Sequence, residues 1–174
     1  MIDYGNVVMV CGSGRHVGKT TLSELIVKYY TQKGKEVYAI KTSSHLHDLD
    51  KEELVIDRGL DYAVVKELRN TTKDSALLLK AGTKESYYMQ STSQERLFEK
   101  FKALYGQIPS DAIVICESGG LREFFKPALF LFVSGNAVTK NLRYKPYADF
   151  DLQLDVDFNQ TAILNMDLPL ESLL

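Results

Sequence analysis

Apolar residues in this chain fall into short dense runs separated by longer amphipathic ones. The first dense run is 6–11, Asn6-Val7-Val8-Met9-Val10-Cys11. Its apolar residues are consecutive rather than alternating, which suits a parallel strand covered on both faces. Over 19–33, Leu22, Leu25, Ile26, Tyr29 and Tyr30 recur at three- and four-residue spacing. That period predicts a helix, with Gly34 as its natural stop. Residues 37–42 predict a second strand, and 43–50 a polar loop rich in His and Asp. Leu54-Val55-Ile56 fits strand or helix. Residues 61–68 place Tyr62, Val65 and Leu68 on one helical face. A short helix is predicted from Lys73-Asp74-Ser75 to Ala81, ended by Gly82.

Residues 85–91 predict a third strand. Thr92-Ser93-Gln94-Glu95 fits the capping box of a following helix, whose core face is Leu97, Phe98, Phe101, Leu104 and Tyr105. After a turn around Pro109, residues 112–116 and 128–133 predict the fourth and fifth strands. A short strand at 152–156 and a helix at 160–166 complete the pattern. Strands alternating with helices imply one α/β domain over 1–174, with a mostly parallel sheet and helices on both faces. Such sheets bind ligands at the carboxyl ends of their strands. Three polar clusters should meet there: the loop at 12–20, the loop after Thr42, and Glu117-Ser118-Gly119-Gly120.

The loop between the first strand and the first helix reads Gly12-Ser13-Gly14-Arg15-His16-Val17-Gly18-Lys19-Thr20-Thr21. A glycine-rich turn in this context can aim several backbone N–H groups into one concavity. The helix that follows adds unpaired N–H groups and the positive end of its dipole. Lys19 supplies a mobile positive charge for outer phosphates, and the Thr20 hydroxyl can ligate a phosphate-held Mg²⁺. The strict phosphate-binding pattern wants Gly where Ser13 stands. Gly12 lies one position further back, so the loop is one residue longer. Nucleoside triphosphate binding, GTP or ATP with Mg²⁺, is the expected function.

Composition narrows the alternatives. The chain has 174 residues and a formal net charge of −2, which gives no electrostatic support for nucleic-acid or membrane binding. No run of 18 apolar residues and no secretory leader pattern is visible, so a cytoplasmic protein is expected. Cys11 and Cys116 each end an apolar run and are expected as buried thiols in a reducing compartment.

Glu117 ends the apolar strand Ile113-Val114-Ile115-Cys116. An acid there is expected on the Mg²⁺ side of a phosphate site, bound directly or through water. Asp48 or Asp50 could complete the Mg²⁺ shell or orient water. The expected catalytic set is Lys19, Asp48 and Glu117, with Thr20, Asp48 and Glu117 as metal-side groups. His45 and His47 with these aspartates could also suggest zinc, but no third anchor with metal-like spacing appears. Asp74 has a sufficient explanation as a favourable charge at a helix start. Lys140 or Asn141 could read a base edge, although 139–142 also suits a plain connection.

The loop resembles those of dethiobiotin synthetases and cobyrinate synthases, which also run Gly, five residues, then Val-Gly-Lys-Thr or a close variant. A longer resemblance follows from Lys41 with its His- and Asp-rich loop, Lys73-Asp74-Ser75, Ala81-Gly82, and the strand ending in Glu117. In that order these resemble the MobB family, small GTP-binding proteins of molybdopterin-guanine dinucleotide biosynthesis. The chain departs from it with Thr42-Ser43-Ser44 in place of histidine after the lysine, Thr72 and Ser118 in place of glycine, and extra residues over 51–70. The resemblance implies a phosphate-loop α/β fold, slow GTP hydrolysis with Mg²⁺, and a homodimer. It also implies the nucleotidyltransferase that completes the dinucleotide cofactor as a partner. The alternatives are an ATP-dependent ligase-like enzyme resembling dethiobiotin synthetase, or a nucleotide-gated adaptor with little turnover.

Overall fold

The computed structural model describes residues 1–51, 53–68, 73–135, 140–154 and 169–173. Its strands are β1 (Ile2–Gly12), β2 (Val37–Ser43), β3 (Leu54–Arg58), β4 (Tyr62–Lys66), β5 (Glu85–Ser91), β6 (Ile113–Glu117), β7 (Phe125–Val133) and β8 (Phe150–Leu152). Its helices are α1 (Lys19–Gln32), α2 (Asp74–Ala81) and α3 (Gln94–Tyr105). The strands form one eight-stranded sheet in the order β3-β4-β5-β2-β6-β1-β7-β8. β5, β2, β6, β1, β7 and β8 run parallel, while β3 and β4 add an antiparallel edge.

The consecutive apolar runs have the two-sided burial that their pattern predicts. On β1, Val7, Met9 and Cys11 enter one core, while Val8 and Val10 enter the other. The first core holds Leu97, Phe101 and Leu104 of α3. The second holds Leu22, Leu25 and Ile26 of α1 with Leu78 of α2. Helices therefore cover both faces. Each fully buried Leu, Ile or Phe contributes roughly 1.5–3 kcal/mol of transfer free energy, so both layers hold the central strands firmly. Among the described residues, no helix is long and apolar enough to cross a membrane.

Several expected elements differ from those observed. The helix predicted over 61–68 is a strand. Tyr62–Lys66 pairs antiparallel with β5, Tyr62 opposite Ser91 and Val64 opposite Met89. The spacing of Tyr62, Val65 and Leu68 resembles a helical stripe, but Ala63, Val64 and Val65 are all buried. Adjacent β-branched valines favour that pleated, paired environment. Leu54-Val55-Ile56, open between two states in the sequence, is strand β3. The cap of α3 is Ser93 rather than Thr92, its hydroxyl accepting from Arg96 N–H at 3.1 Å. β8 begins two residues earlier than predicted. The predicted helix at 160–166 lies outside the described residues.

Candidate functional site

Register across the sheet decides what meets at its carboxyl edge. Val10 of β1 stands beside Glu117 of β6. Glu117 stands beside Lys41 of β2, and Lys41 beside Tyr88 of β5. Residues far apart in sequence thus end at one level, facing the turn that leaves β1. They line an open cleft of about 760 Å³ together with the glycine-rich loop.

Two glycines shape that loop. A Cβ on Gly12 would come within 2.8 Å of Val17 Cγ2 and 2.9 Å of Lys19 Cγ, so the chain folds tightly over itself only without one. Gly18 has φ +97°, a left-handed conformation that other residues adopt at a cost. It leads directly into α1, where Leu22 N–H donates to Gly18 O at 2.9 Å. Ser13 is buried and anchors the loop to the exit of β7. Its N–H donates to Val133 O at 2.9 Å, and its hydroxyl accepts from Gly135 N–H at 2.8 Å. The Asn141 amide donates to Gly12 O at 3.1 Å. Ser13 thus gives the loop an anchor that glycine could not supply.

Lys19 folds over this loop and donates to Gly14 O. Burial lowers its pKa, against an opposing pull from Glu117. Glu117 is only 4 % exposed. Its Oε2 accepts from the Thr20 hydroxyl at 3.2 Å, and its Oε1 pairs with Lys41 Nζ at 3.1 Å. Lys41 also pairs with Asp74. Burial pulls the Lys41 pKa down, but Glu117 and Asp74 outweigh it and the net shift is upward. Thr42 donates to the Ser118 hydroxyl at 2.7 Å, tying β2 to the turn after β6.

Of the residues singled out in the sequence, Gly12, Gly14, Arg15, His16, Gly18, Lys19, Thr20, Thr21 and Glu117 line the cleft, with Lys140 and Asn141. Ser13 and Val17 support the loop from outside that lining. Asp48 is not brought in. It is exposed and outside the lining, and Asp50 turns away toward Lys73, 3.6 Å from it. The cause is local. Gln90 grips the peptide of His47, accepting from its N–H and donating to its carbonyl at 2.9 Å each, and the chain leaves the cleft after it.

The carboxylate that does line the cleft from this side is Asp74, and the helix cap that precedes it, Lys73, makes no side-chain cap bond. Asp74 and Lys41 are the residues that sequence reasoning missed as site groups. The signal for Lys41 was a charged residue inside an apolar strand, at the same depth as Glu117 in its own. Cys11 also borders the cleft, but burial pushes its thiol up to about 11, which makes it a poor nucleophile. Cys11 and Cys116 are free buried thiols.

Comparison with family models, curated proteins and solved structures finds no match to this chain. The site therefore stands on its own chemistry. The glycine-rich loop, the first turn of α1 and Lys19 line one concavity, and a loop and helix start of this kind can offer backbone N–H groups to an anion. Among the described residues, no three or more His, Cys, Asp or Glu side chains form a metal-holding group. An ion beside Thr20 and Glu117 would draw its remaining ligands from water and from a bound anion. Mg²⁺ accepts that arrangement readily.

Proposed function

We propose that this chain binds a nucleoside triphosphate with Mg²⁺ at the glycine-rich loop and hydrolyses it slowly, with GTP preferred over ATP. The observation that carries the reading is the meeting of Lys19, Thr20 and Glu117 on one cleft, Thr20 and Glu117 being 97 residues apart in sequence. The motif resemblance to the MobB family supports a role in molybdopterin-guanine dinucleotide synthesis. It also supports a nucleotidyltransferase as partner.

Each residue then has a defined task. The loop N–H groups and the start of α1 bind the phosphate chain. Lys19 exchanges the Gly14 carbonyl for phosphate oxygens and neutralises charge that grows toward the transition state. Thr20 and Glu117 would hold Mg²⁺, which would supply further charge neutralisation. Asp74, which shares Lys41 with Glu117, orients water toward the outer phosphate. Lys41 keeps both carboxylates charged and in place. Catalysis of this kind rests on positioning and charge rather than covalent chemistry.

A thermal-shift panel of GTP, ATP and their diphosphates, with and without Mg²⁺, tests the reading. The expected outcome is stabilisation by triphosphates that deepens with Mg²⁺. Indifference to every triphosphate would overturn it. One observation favours the ligase-like alternative: the cleft continues past Glu117 over β2 and β5, leaving room for an acceptor. Product analysis separates the two, free phosphate marking hydrolysis and a phosphorylated acceptor marking transfer.

A further inference from the structure

The chain has three histidines, and all three line this one cleft. The protein carries a formal net charge of −2, yet among the described residues the cleft is lined by four cationic side chains and two carboxylates. Arg15, Lys19 and Lys140 stand on the side of β1 and β7, where the proposed nucleotide lies. The remaining cation, Lys41, stands two strands from β1, with His45, His47 and Ser44 beyond it and Tyr88 on β5. Neighbouring strands are about 4.8 Å apart, so the ends of β2 and β5 lie roughly 10 and 14 Å from that of β1.

The His-bearing segment is built rather than loose. Gln90, itself buried, pairs with both the N–H and the carbonyl of His47. The Ser43 hydroxyl donates to His45 O at 2.9 Å and accepts from His45 N–H at 3.1 Å. The peptide groups of His45 and His47 are thus paired within the protein, His47 Nε2 lies 3.4 Å from the Ser43 hydroxyl, and the exposed His45 imidazole and Ser44 hydroxyl line the cleft. These are single-point donors spread over a wall. Among the described residues that line the cleft, the one arginine is Arg15, on the far side, so within them this half offers no planar fork of the kind that suits a carboxylate. Separate donors around a central lysine suit a tetrahedral oxyanion.

We propose that this half of the cleft, formed by Lys41, Ser44, His45, His47 and Tyr88, binds the phosphate group of a second, phosphorylated substrate. The inference rests on the nucleotide reading above, because it makes Lys41 the seam between two anions.

The test is a titration of inorganic phosphate into full-length protein saturated with Mg²⁺ and a non-hydrolysable GTP analogue, so that the loop is already filled. One phosphate per chain should bind, and the His45→Gln/His47→Gln variant should bind it at least tenfold more weakly. Triphosphate affinity measured alongside shows whether that variant remains folded. No phosphate binding to the loaded wild-type protein, equal binding by the variant, or tighter binding of acetate than of phosphate would each overturn the proposal. Should the protein bind no triphosphate, phosphate titrated into the nucleotide-free chain still separates the two ideas. Loss of a site with Lys19→Ala reports the loop, and loss with the double histidine variant reports this subsite.

Discussion

Glu117 and Lys41 form an ion pair of 3.1 Å at the same register of adjacent parallel strands, with Glu117 almost completely buried. Thr20 takes the other carboxylate oxygen, so the first turn of α1 and the ends of β2 and β6 meet at one side chain. A buried carboxylate with one cation and one hydroxyl as partners is stable, and it can rearrange once a divalent ion competes for it.

Glu117→Gln keeps the shape and removes the charge. Half-maximal stabilisation by Mg²⁺–triphosphate should need about tenfold more Mg²⁺, equivalent to ~1.4 kcal/mol. Denaturant unfolding should show a stability loss of about 1.5–3 kcal/mol, the range for hydrogen bonds to charged groups. An unchanged Mg²⁺ titration with lost stability would restrict Glu117 to a structural role.

Lys19→Ala should remove triphosphate stabilisation while leaving the unfolding free energy of the free protein within about 0.5 kcal/mol of the parent, since among the described residues the Lys19 ammonium donates to a loop carbonyl alone. Equal affinity in parent and variant would refute phosphate binding by this loop.

The lowered pKa of Lys19 gives a pH signature with a definite sign. Burial disfavours its charged form in the free protein, whereas a bound phosphate favours it. Triphosphate affinity should therefore fall as pH rises through that lowered value, below the ordinary lysine range, with proton uptake on binding. Lys19→Arg, which stays charged, should flatten the profile. Calorimetry in buffers of different ionisation enthalpy reads the proton directly.

Ser13→Ala should cost about 1–2 kcal/mol, because the Gly135 N–H loses its acceptor. Triphosphate affinity should drop with it, as the loop loses an anchor to β7. Unaltered affinity would show that the loop holds its shape without that anchor.

Base selectivity should be modest, with GTP bound about tenfold more tightly than ATP, or ~1.4 kcal/mol. On the proposed function the loop would contact phosphates alone, so discrimination would have to arise elsewhere in the cleft, as near Lys140 and Asn141. Direct titration of both nucleotides decides it, and an ATP preference would promote the ligase-like alternative.

Much of this architecture is legible in the sequence because consecutive apolar runs and three-four spacing are strong local signals. β1, α1, β2, α2, β5, α3 and β6 follow from them. Tyr62–Lys66 was misread because five residues carry little period, and its strand state depends on pairing with β5. Ser93 and Thr92 are equivalent caps by composition, and only backbone geometry selects between them. Lys19, Thr20 and Glu117 were legible from the turn and the strand end. Asp74 was not, because its approach to Lys41 spans 33 residues and depends on where α2 packs. The position of Asp48 outside the cleft lining was not legible, because spacing alone could not show that Gln90 holds the His47 peptide just before it.

The loop after β1 is fastened to Val133, Gly135 and Asn141, more than 100 residues further along the chain. Its strand is flanked by β6 and β7, both from the later part of the chain. The Gly-Lys-Thr segment is thus made early in synthesis and gains its shape late. A nascent chain displaying Lys19 lacks the neighbours that mould the concavity around it, and such non-local closure is slow. On the proposed function, triphosphate capture would consequently be a proofreading mark of completed assembly, since the loop takes its shape only once β7 is docked beside β1.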